Sequence, residues 1–306
     1  MARLHRNALV AAAALLALQL LSTGCSGART AATAPQKTSG AATTAARPST
    51  TGELTLLHDA EQELRRRCMA AAGFRYWAES AKPMPESREF PYVVDDPAWA
   101  SQYGYGSTLN ARIGRLRAKD PNQVYLRGLS QERRRAAITA LNGTRTDSQQ
   151  LTSRLPSGMV MGHSATGCRA EAWQKLYGDL PGWYAASTLV ANLKAHRYER
   201  VLADPEFGRA VTKWSTCMRA SGHAYRDPSQ SKAEFLRDAK TGDLAAETRV
   251  AAQEARCALS SGLSAVAVRL DRRHDQALRQ EHREAVDRVE RLRTNALPRA
   301  RDVLAP

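Results

Sequence analysis

Apolar residues recur every three or four positions over most of this chain beyond residue 52, which is the spacing of one face of an α-helix. In the first such segment, 53–72, Leu57, Leu64 and Cys68 follow this spacing and Gly73 provides a stop. The same reasoning predicts helices at 131–141, 166–177, 184–202, 205–221, 243–260 and 263–297. Alternating β-branched runs are scarce and no hairpin signature carries weight, so irregular connections are expected at 82–95 and 147–164. The predicted fold class is mainly α.

Two features refine these helices. Ser130 and Asp204 stand where an N-cap belongs, immediately before 131–141 and 205–221. The last helix, 263–297, is highly charged and has a thin apolar stripe, made of Val266, Leu270, Leu278, Ala285, Val289, Leu292 and Ala296. Such a stripe suits one face packed on the rest of the domain, or a short coiled coil with a partner.

The N-terminus has the pattern of a secretory signal. Arg3 and Arg6 precede an apolar run, 8–21, whose 14 residues fall short of the roughly 20 that a membrane-spanning helix needs. The run ends at Leu-Ser-Thr-Gly-Cys, which resembles a lipobox with Gly24 before the cut and Cys25 as the lipidated first residue. The alternative is ordinary signal cleavage that leaves Cys25 as a free thiol. If Cys25 is lipidated, residues 1–24 are the signal peptide that is removed. The mature chain is then anchored to the extracytoplasmic face of the cell membrane.

The cysteine count supports lipidation. The chain has five cysteines, and an odd number in an exported protein leaves one thiol without a partner. Lipid at Cys25 would leave four, an even number, and an oxidising compartment favours their pairing. The four are Cys68, Cys168, Cys217 and Cys257, which permit three pairings.

The segment after Cys25 is built almost entirely from Ala, Thr, Ser, Gly and Pro, so it cannot form a core. Residues 25–52 are therefore predicted to be a disordered tether, with a typical reach of roughly 30 Å. Residues 53–306 are predicted to form the α-helical extracytoplasmic domain.

One nine-residue pattern occurs twice. Cys, Met, Ala, Gly and Tyr stand at the same offsets in 68–76 and in 217–225, and each copy closes a predicted helix. Each copy is followed by one further cysteine. The repeat therefore predicts two related halves, 53–180 and 181–306, with disulfides Cys68–Cys168 and Cys217–Cys257. Chance similarity in an Ala-rich chain is the alternative.

With these features the chain resembles a family of actinobacterial cell-surface lipoproteins. The resemblance rests on the lipobox and Ser/Thr tether, the paired Cys-Met…Gly…Tyr helix ends, Tyr103-Gly104-Tyr105-Gly106, Asp120-Pro121-Asn122 with Tyr125, Leu129 to Arg133, Gly167 to Ala172, Tyr177-Gly178 and the Ala-rich helix around Cys257. It implies a surface location and a disulfide framework, and it implies no activity.

The net charge of +15 bears on partners. Of 45 basic residues only 8 are Lys, and so strong a preference for Arg is also what a GC-rich genome produces. A cationic surface attracts anionic lipids or cell-wall polymers. Export makes nucleic acid an unlikely partner, and with four Phe and nine Tyr no stacking platform is evident.

Known catalytic and metal-binding patterns are lacking. His274 and His282 lie eight residues apart on one predicted helix, about 12 Å, which is too far for one ion. Segment 162–167 resembles a nucleophile elbow but lacks the second Gly and a preceding strand. The sequence predicts no metal and no cofactor.

Other candidate catalytic groups have simpler explanations. Segments 229–232 and 240–242 spell two penicillin-recognition motifs but stand too close together for that fold, and the acid pairs Asp95-Asp96 and Glu284-Asp287 are short-range pairs. The sequence therefore favours a non-catalytic binding or scaffolding module over an enzyme. The alternative is a wall- or lipid-active hydrolase with a site assembled from scattered residues, which convergent acids with perturbed pKa values would favour.

Overall fold

The structure, a computed structural model, describes residues 47–79, 84, 86–144, 150–237 and 243–305. The predicted signal 1–24, Cys25 and most of the tether lie outside these residues. The described part forms twelve helices and one two-stranded sheet: α1 Thr51–Ala71, α2 Pro97–Tyr103, α3 Ser107–Ala118, α4 Pro121–Gly128, α5 Gln131–Asn142, β1 Gln150–Arg154, β2 Val160–Ser164, α6 Gly167–Tyr177, α7 Leu180–Ala203, α8 Pro205–Ala220, α9 Pro228–Leu236, α10 Leu244–Ser260, α11 Leu263–Glu281 and α12 Arg283–Leu304. The mainly α prediction is confirmed.

Side chains that cap the backbone define where several helices begin. Ser130 accepts the Arg133 amide at the start of α5, and Asp204 accepts the Glu206 amide at the start of α8, as predicted. At α1 the cap is Thr50, whose hydroxyl oxygen accepts the Glu53 amide. The Glu53 carboxylate accepts the Thr50 amide in turn, which completes a capping box. The short helices α2, α3, α4 and α9 were not predicted.

The two largest hydrophobic cores hold most of the long helices together. The α10 core packs α2, α8 and α11 around α10, and its fully buried members include Trp214, Met218 and Leu270. The α12 core joins α1, α6, α7 and α12 through side chains such as Leu176 and Val289. Each core draws on residues from both sides of position 180. The segments 53–180 and 181–306 therefore share their cores.

The charged stretch 263–297, predicted as one helix, is two. The helix breaks at His282, whose backbone has φ −113° and ψ 29°. The apolar stripe of α11 faces α7 and α8, whereas that of α12 faces α1, α6 and α7. The break lets each stripe reach its own core, so the stripe is packed on the domain, with Leu270, Leu278, Val289 and Ala296 all buried.

The prediction that 147–164 is irregular was wrong. β1 and β2 pair antiparallel with Gln150 opposite Ser164 and Arg154 opposite Val160. Leu151 and Ser153 are buried, and the Ser153 hydroxyl donates to the Ala185 carbonyl on α7 at 2.7 Å. The hairpin depends on packing against a helix that lies later in the chain, and its own alternation of apolar residues is too weak to predict it.

The repeated motif forms the same helix ending twice. The amide of Phe74 donates to the Met69 carbonyl, and that of His223 to the Met218 carbonyl, both at 2.9 Å. The intervening glycines, Gly73 and Gly222, have φ of 79° and 84°, a region that disfavours other residues.

Each of these helix ends carries one cysteine of a disulfide. The two bonds join Cys68 to Cys168 and Cys217 to Cys257, which are the pairs that the repeat predicts. The surroundings differ, because Cys168 lies in the first turn of α6 whereas Cys257 lies near the end of α10. The similarity is thus in the helix endings and not in the whole helix pairs.

Candidate functional site

The two histidines that their spacing made too distant for one ion lie in separate surroundings. His274 Nε2 lies 3.3 Å from an Asp204 carboxylate oxygen, and His282 lies at the break between α11 and α12. Within the described ranges, no three His, Cys, Asp or Glu side chains are placed to share a metal ion.

The elbow-like segment does not assemble a nucleophile and base. His163 Nδ1 lies 2.7 Å from the backbone carbonyl oxygen of Ser164, and the His163 ring packs edge-on against Trp173. The Ser164 hydroxyl instead lies 2.8 Å from the Thr166 hydroxyl, just before α6. The expectation that no strand precedes this segment was wrong, because β2 ends at Ser164. The contacts of His163 and Ser164 are nevertheless those of a turn that leads into α6. The 240–242 motif lies outside the described residues.

Three of the four acids in the short-range pairs, Asp95, Asp96 and Asp287, have structural partners. Asp95 accepts the Ser264 hydroxyl, while Asp96 caps α2 by accepting the Trp99 amide at 2.9 Å. Asp287 lies 3.5 Å from Arg283, one turn earlier on α12. These contacts are those of carboxylates that cap a helix, accept a hydroxyl or pair with a basic side chain.

Two buried acids that sequence reasoning missed lie on α10. Glu247 and Glu254 are each 1% exposed, although carboxylates are almost never buried without a basic partner. The two acids are seven residues apart, about two helical turns. They therefore lie on the same apolar face as Val250, Ala251 and Ala258. Two acids within the apolar stripe of an Ala-rich helix were a signal that could have revealed them.

Glu254 is hydrogen-bonded through both oxygens. One oxygen accepts the Tyr105 hydroxyl at 2.6 Å and the Ser231 hydroxyl at 2.5 Å, and the other accepts the Val94 amide at 3.2 Å. Burial raises the pKa of this carboxyl to about 7, although the three donors act in the opposite direction. Glu254 and Lys232 both line a small cavity of about 270 Å³.

Glu247 binds the turn that follows α2. It accepts the backbone amides of Tyr105 at 2.8 Å and Ser107 at 3.2 Å, as well as the Ser107 hydroxyl. Gly104 makes this approach possible, since a Cβ there would lie 2.6 Å from the Glu247 side chain. The two acids therefore join α10 to the α2–α3 turn and to α9, and they act as structural joints.

The strongest concentration of positive charge lies on three consecutive helices. We call residues 107–142, which comprise α3, α4 and α5, the basic lobe. They contain two acids, Asp120 and Glu132, against eight basic residues: Arg112, Arg115, Arg117, Lys119, Arg127, Arg133, Arg134 and Arg135. Seven of the eight are exposed. The lobe therefore carries +6 of the net charge of +15.

These cations are largely without acidic partners. Arg112 lies 3.6 Å from Glu86, and the other seven make no ion pair with the described residues. Asp120 is occupied in capping α4, where it accepts the Gln123 amide. Most of the positive charge of the lobe is therefore exposed to solvent, while Arg134 is half-buried and donates to backbone carbonyls.

The basic lobe also exposes apolar side chains, one on each helix. Leu116 is 55%, Val124 50% and Ile138 45% exposed. Single exposed apolar residues are common on soluble proteins, but their combination with unpaired Arg residues is typical of surfaces that bind anionic membranes.

Comparison with known proteins adds no family: no protein-family model matches the chain, and neither the curated proteins nor the solved structures yield a significant match. Among the described helices, none combines the length and the apolar character that crossing a bilayer requires.

Proposed function

We propose that this protein is a non-catalytic contact module of the cell envelope, anchored by lipid at Cys25, whose basic lobe binds anionic lipid head groups. The observation that carries the proposal is the set of seven Lys and Arg side chains in residues 107–142 that lack acidic partners in the described part of the chain.

The chemistry of the lobe suits phosphate-bearing lipids. A guanidinium group presents a planar fork of donors that matches phosphate oxygens, and each basic residue near an anionic leaflet contributes about 1 kcal/mol. Leu116, Val124 and Ile138 favour a lipid surface over a wall polymer, because apolar side chains gain from the boundary between head groups and acyl chains.

The alternative, a wall- or lipid-active hydrolase, would rest on Glu254, whose pKa lies near that of a general acid. Both of its oxygens already accept bonds from Tyr105, Ser231 and Val94. A general acid must instead present its proton to the substrate, so the geometry favours the structural role.

Vesicle binding tests the lobe. The unlipidated mature chain, carrying Cys25→Ala, should bind phosphatidylglycerol vesicles at low salt and dissociate as ionic strength rises. Replacing Arg115, Arg117 and Arg135 by Gln should weaken binding by about 3 kcal/mol, or roughly a hundredfold. Co-sedimentation over a range of lipid concentrations measures the effect.

The matched control replaces Arg209, Arg291 and Arg301, which are exposed, unpaired among the described residues and outside the lobe. It removes the same charge and should retain most of the affinity. Equal losses of vesicle affinity in both triple variants would mean that net charge alone, and not the basic lobe, causes binding. Binding to purified wall but not to vesicles would mean that the ligand is a wall polymer and not a lipid. Turnover of a wall or lipid substrate would overturn it.

Lipidation has its own test. Metabolic labelling with a palmitate analogue should mark the wild-type chain, and Cys25→Ala should abolish the label and release the protein from the membrane fraction. The reason is that a diacylglyceryl group supplies two chains, enough for stable anchoring. An unlabelled wild-type protein found wholly in the medium would contradict the prediction.

A further inference from the structure

A second feature lies outside the basic lobe, beside the Cys217–Cys257 disulfide. A cavity of about 470 Å³ opens between α10, the segment that follows α8, and the exposed face of α2. Its polar lining includes Arg249, Arg256, His223, Ser101, Ser221 and Thr248. Its volume lies within the range of small-molecule sites, roughly 300–1,000 Å³.

The charge of this cavity has one sign. No carboxylate is among the described residues that line it, whereas each of the four other cavities compared with it includes at least one Asp or Glu. Two guanidinium groups and an imidazole therefore face a common space without acidic neutralisation there. Such a space attracts an anion.

One of the cations, Arg256, is held by a chain of hydrogen bonds. Arg256 donates to the Gln253 side-chain oxygen through Nε at 3.1 Å and Nη2 at 2.7 Å. The Gln253 amide donates in turn to the Ser221 hydroxyl at 2.7 Å, and Ser221 donates to the Cys217 carbonyl. Arg256 keeps unused N–H groups, since a guanidinium carries five donors.

The disulfide and the repeated motif place the remaining groups. His223 follows Gly222, and its amide is bound to the Met218 carbonyl at 2.9 Å, so the ring leaves the end of α8 in a defined direction. Cys217–Cys257 joins this end of α8 to α10, which carries Arg249 and Arg256. The helices that carry the site are thus cross-linked, and Arg256 is held in place, before any ligand arrives, which lowers the entropy cost of binding.

We propose that this cavity binds the phosphomonoester group of a small phosphorylated ligand. A phosphomonoester carries a charge of about −1.5 to −2 near neutral pH, which two guanidinium groups balance, and Arg contacts its oxygens with paired donors. The hydroxyls of Thr248 and Ser101 donate to helix carbonyls, so the specificity for the anion comes from Arg249, Arg256 and His223. This site is independent of the basic lobe and of its proposed lipid contact.

Titration of the unlipidated mature chain with inorganic phosphate and with glycerol 3-phosphate tests the site, with chloride at equal ionic strength as reference. Arg side-chain Nε–H resonances and calorimetry should both report saturable binding. We expect glycerol 3-phosphate, the phosphomonoester, to bind more tightly than inorganic phosphate. Arg249→Gln should weaken it about tenfold, and the R249Q/R256Q variant further, since each removes charge-assisted hydrogen bonds. The exposed Arg249 side chain makes no hydrogen bond or ion pair with the described residues, so its replacement should leave thermal unfolding unchanged.

The control is R209Q/R291Q, which removes the same charge elsewhere. Phosphate binding that is non-saturable, or that survives in R249Q/R256Q, overturns the proposal, as does its loss in the basic-lobe triple variant alone. Vesicle binding should persist in R249Q/R256Q, so failure of this site and failure of the lipid contact give different results.

Discussion

Replacing both cysteines of either disulfide by Ala should lower the free energy of unfolding by several kcal/mol. The bonds close loops of 100 and 40 residues. In the chain-entropy model these loops correspond to about 5 and about 4 kcal/mol, and measured losses are generally smaller. Urea unfolding of C68A/C168A and C217A/C257A against the wild-type chain measures the difference.

The surroundings of each bond sharpen this expectation. Cys257 is fully buried in the α10 core, next to α8 with Trp214 and Met218, whereas Cys168 belongs to a small cluster with Met69 and Phe74. Losing Cys217–Cys257 should therefore also loosen the packing of the larger core. Cys25→Ala, which touches neither bond, is the control and should leave unfolding unchanged. A Cys68–Cys217 peptide in a non-reducing digest would contradict the pairing itself.

Glu254→Gln should remove a pH dependence of stability between about pH 5 and 8. In the folded protein burial raises the pKa of Glu254 to about 7, above its ordinary value of 4.5. The folded state therefore holds this proton more tightly than the unfolded state. Its contribution to stability is fully present below pH 4.5 and declines as the pH rises through 7. At about 1.4 kcal/mol per pH unit, the decline amounts to about 3 kcal/mol.

Other groups that face Glu254 do not imitate this effect. Tyr105 and Ser231 donate to it, and the charge of Lys232 acts to lower its pKa, against the larger effect of burial. Hydrogen bonds from Arg47 and Arg66 lower the pKa values of Glu53 and Glu63 to about 2. These two carboxyls therefore titrate below the range from pH 5 to 8.

Chemical unfolding at several pH values gives the comparison. The wild-type chain should lose stability from pH 5 to 8, E254Q should show a flatter profile, and E284Q, an exposed control on α12, should follow the wild type. Parallel profiles for wild type and E254Q would show that Glu254 has an ordinary pKa in the folded protein.

Local signals in the sequence were enough for much of this fold. Helix spacing predicted the main helices, Ser130 and Asp204 predicted where two of them begin, and the repeat predicted both disulfide pairs. The helices and their caps depend on residues that lie within a few positions of one another, and the disulfide pairs depend on the recurrence of one short motif. The large net charge was equally plain, although its concentration in residues 107–142 was not singled out.

The sequence by itself thus determined a mainly α chain, the ends of several of its helices and a pairing of its cysteines. Only the tertiary structure decided the β1–β2 hairpin, the break at His282, the burial of Glu247 and Glu254, and the meeting of Arg249, Arg256 and His223 at one cavity. Each of these depends on contacts between segments far apart in the chain. Buried area, desolvation and a shared cavity exist only once those segments are packed, so no local pattern of residues could reveal them.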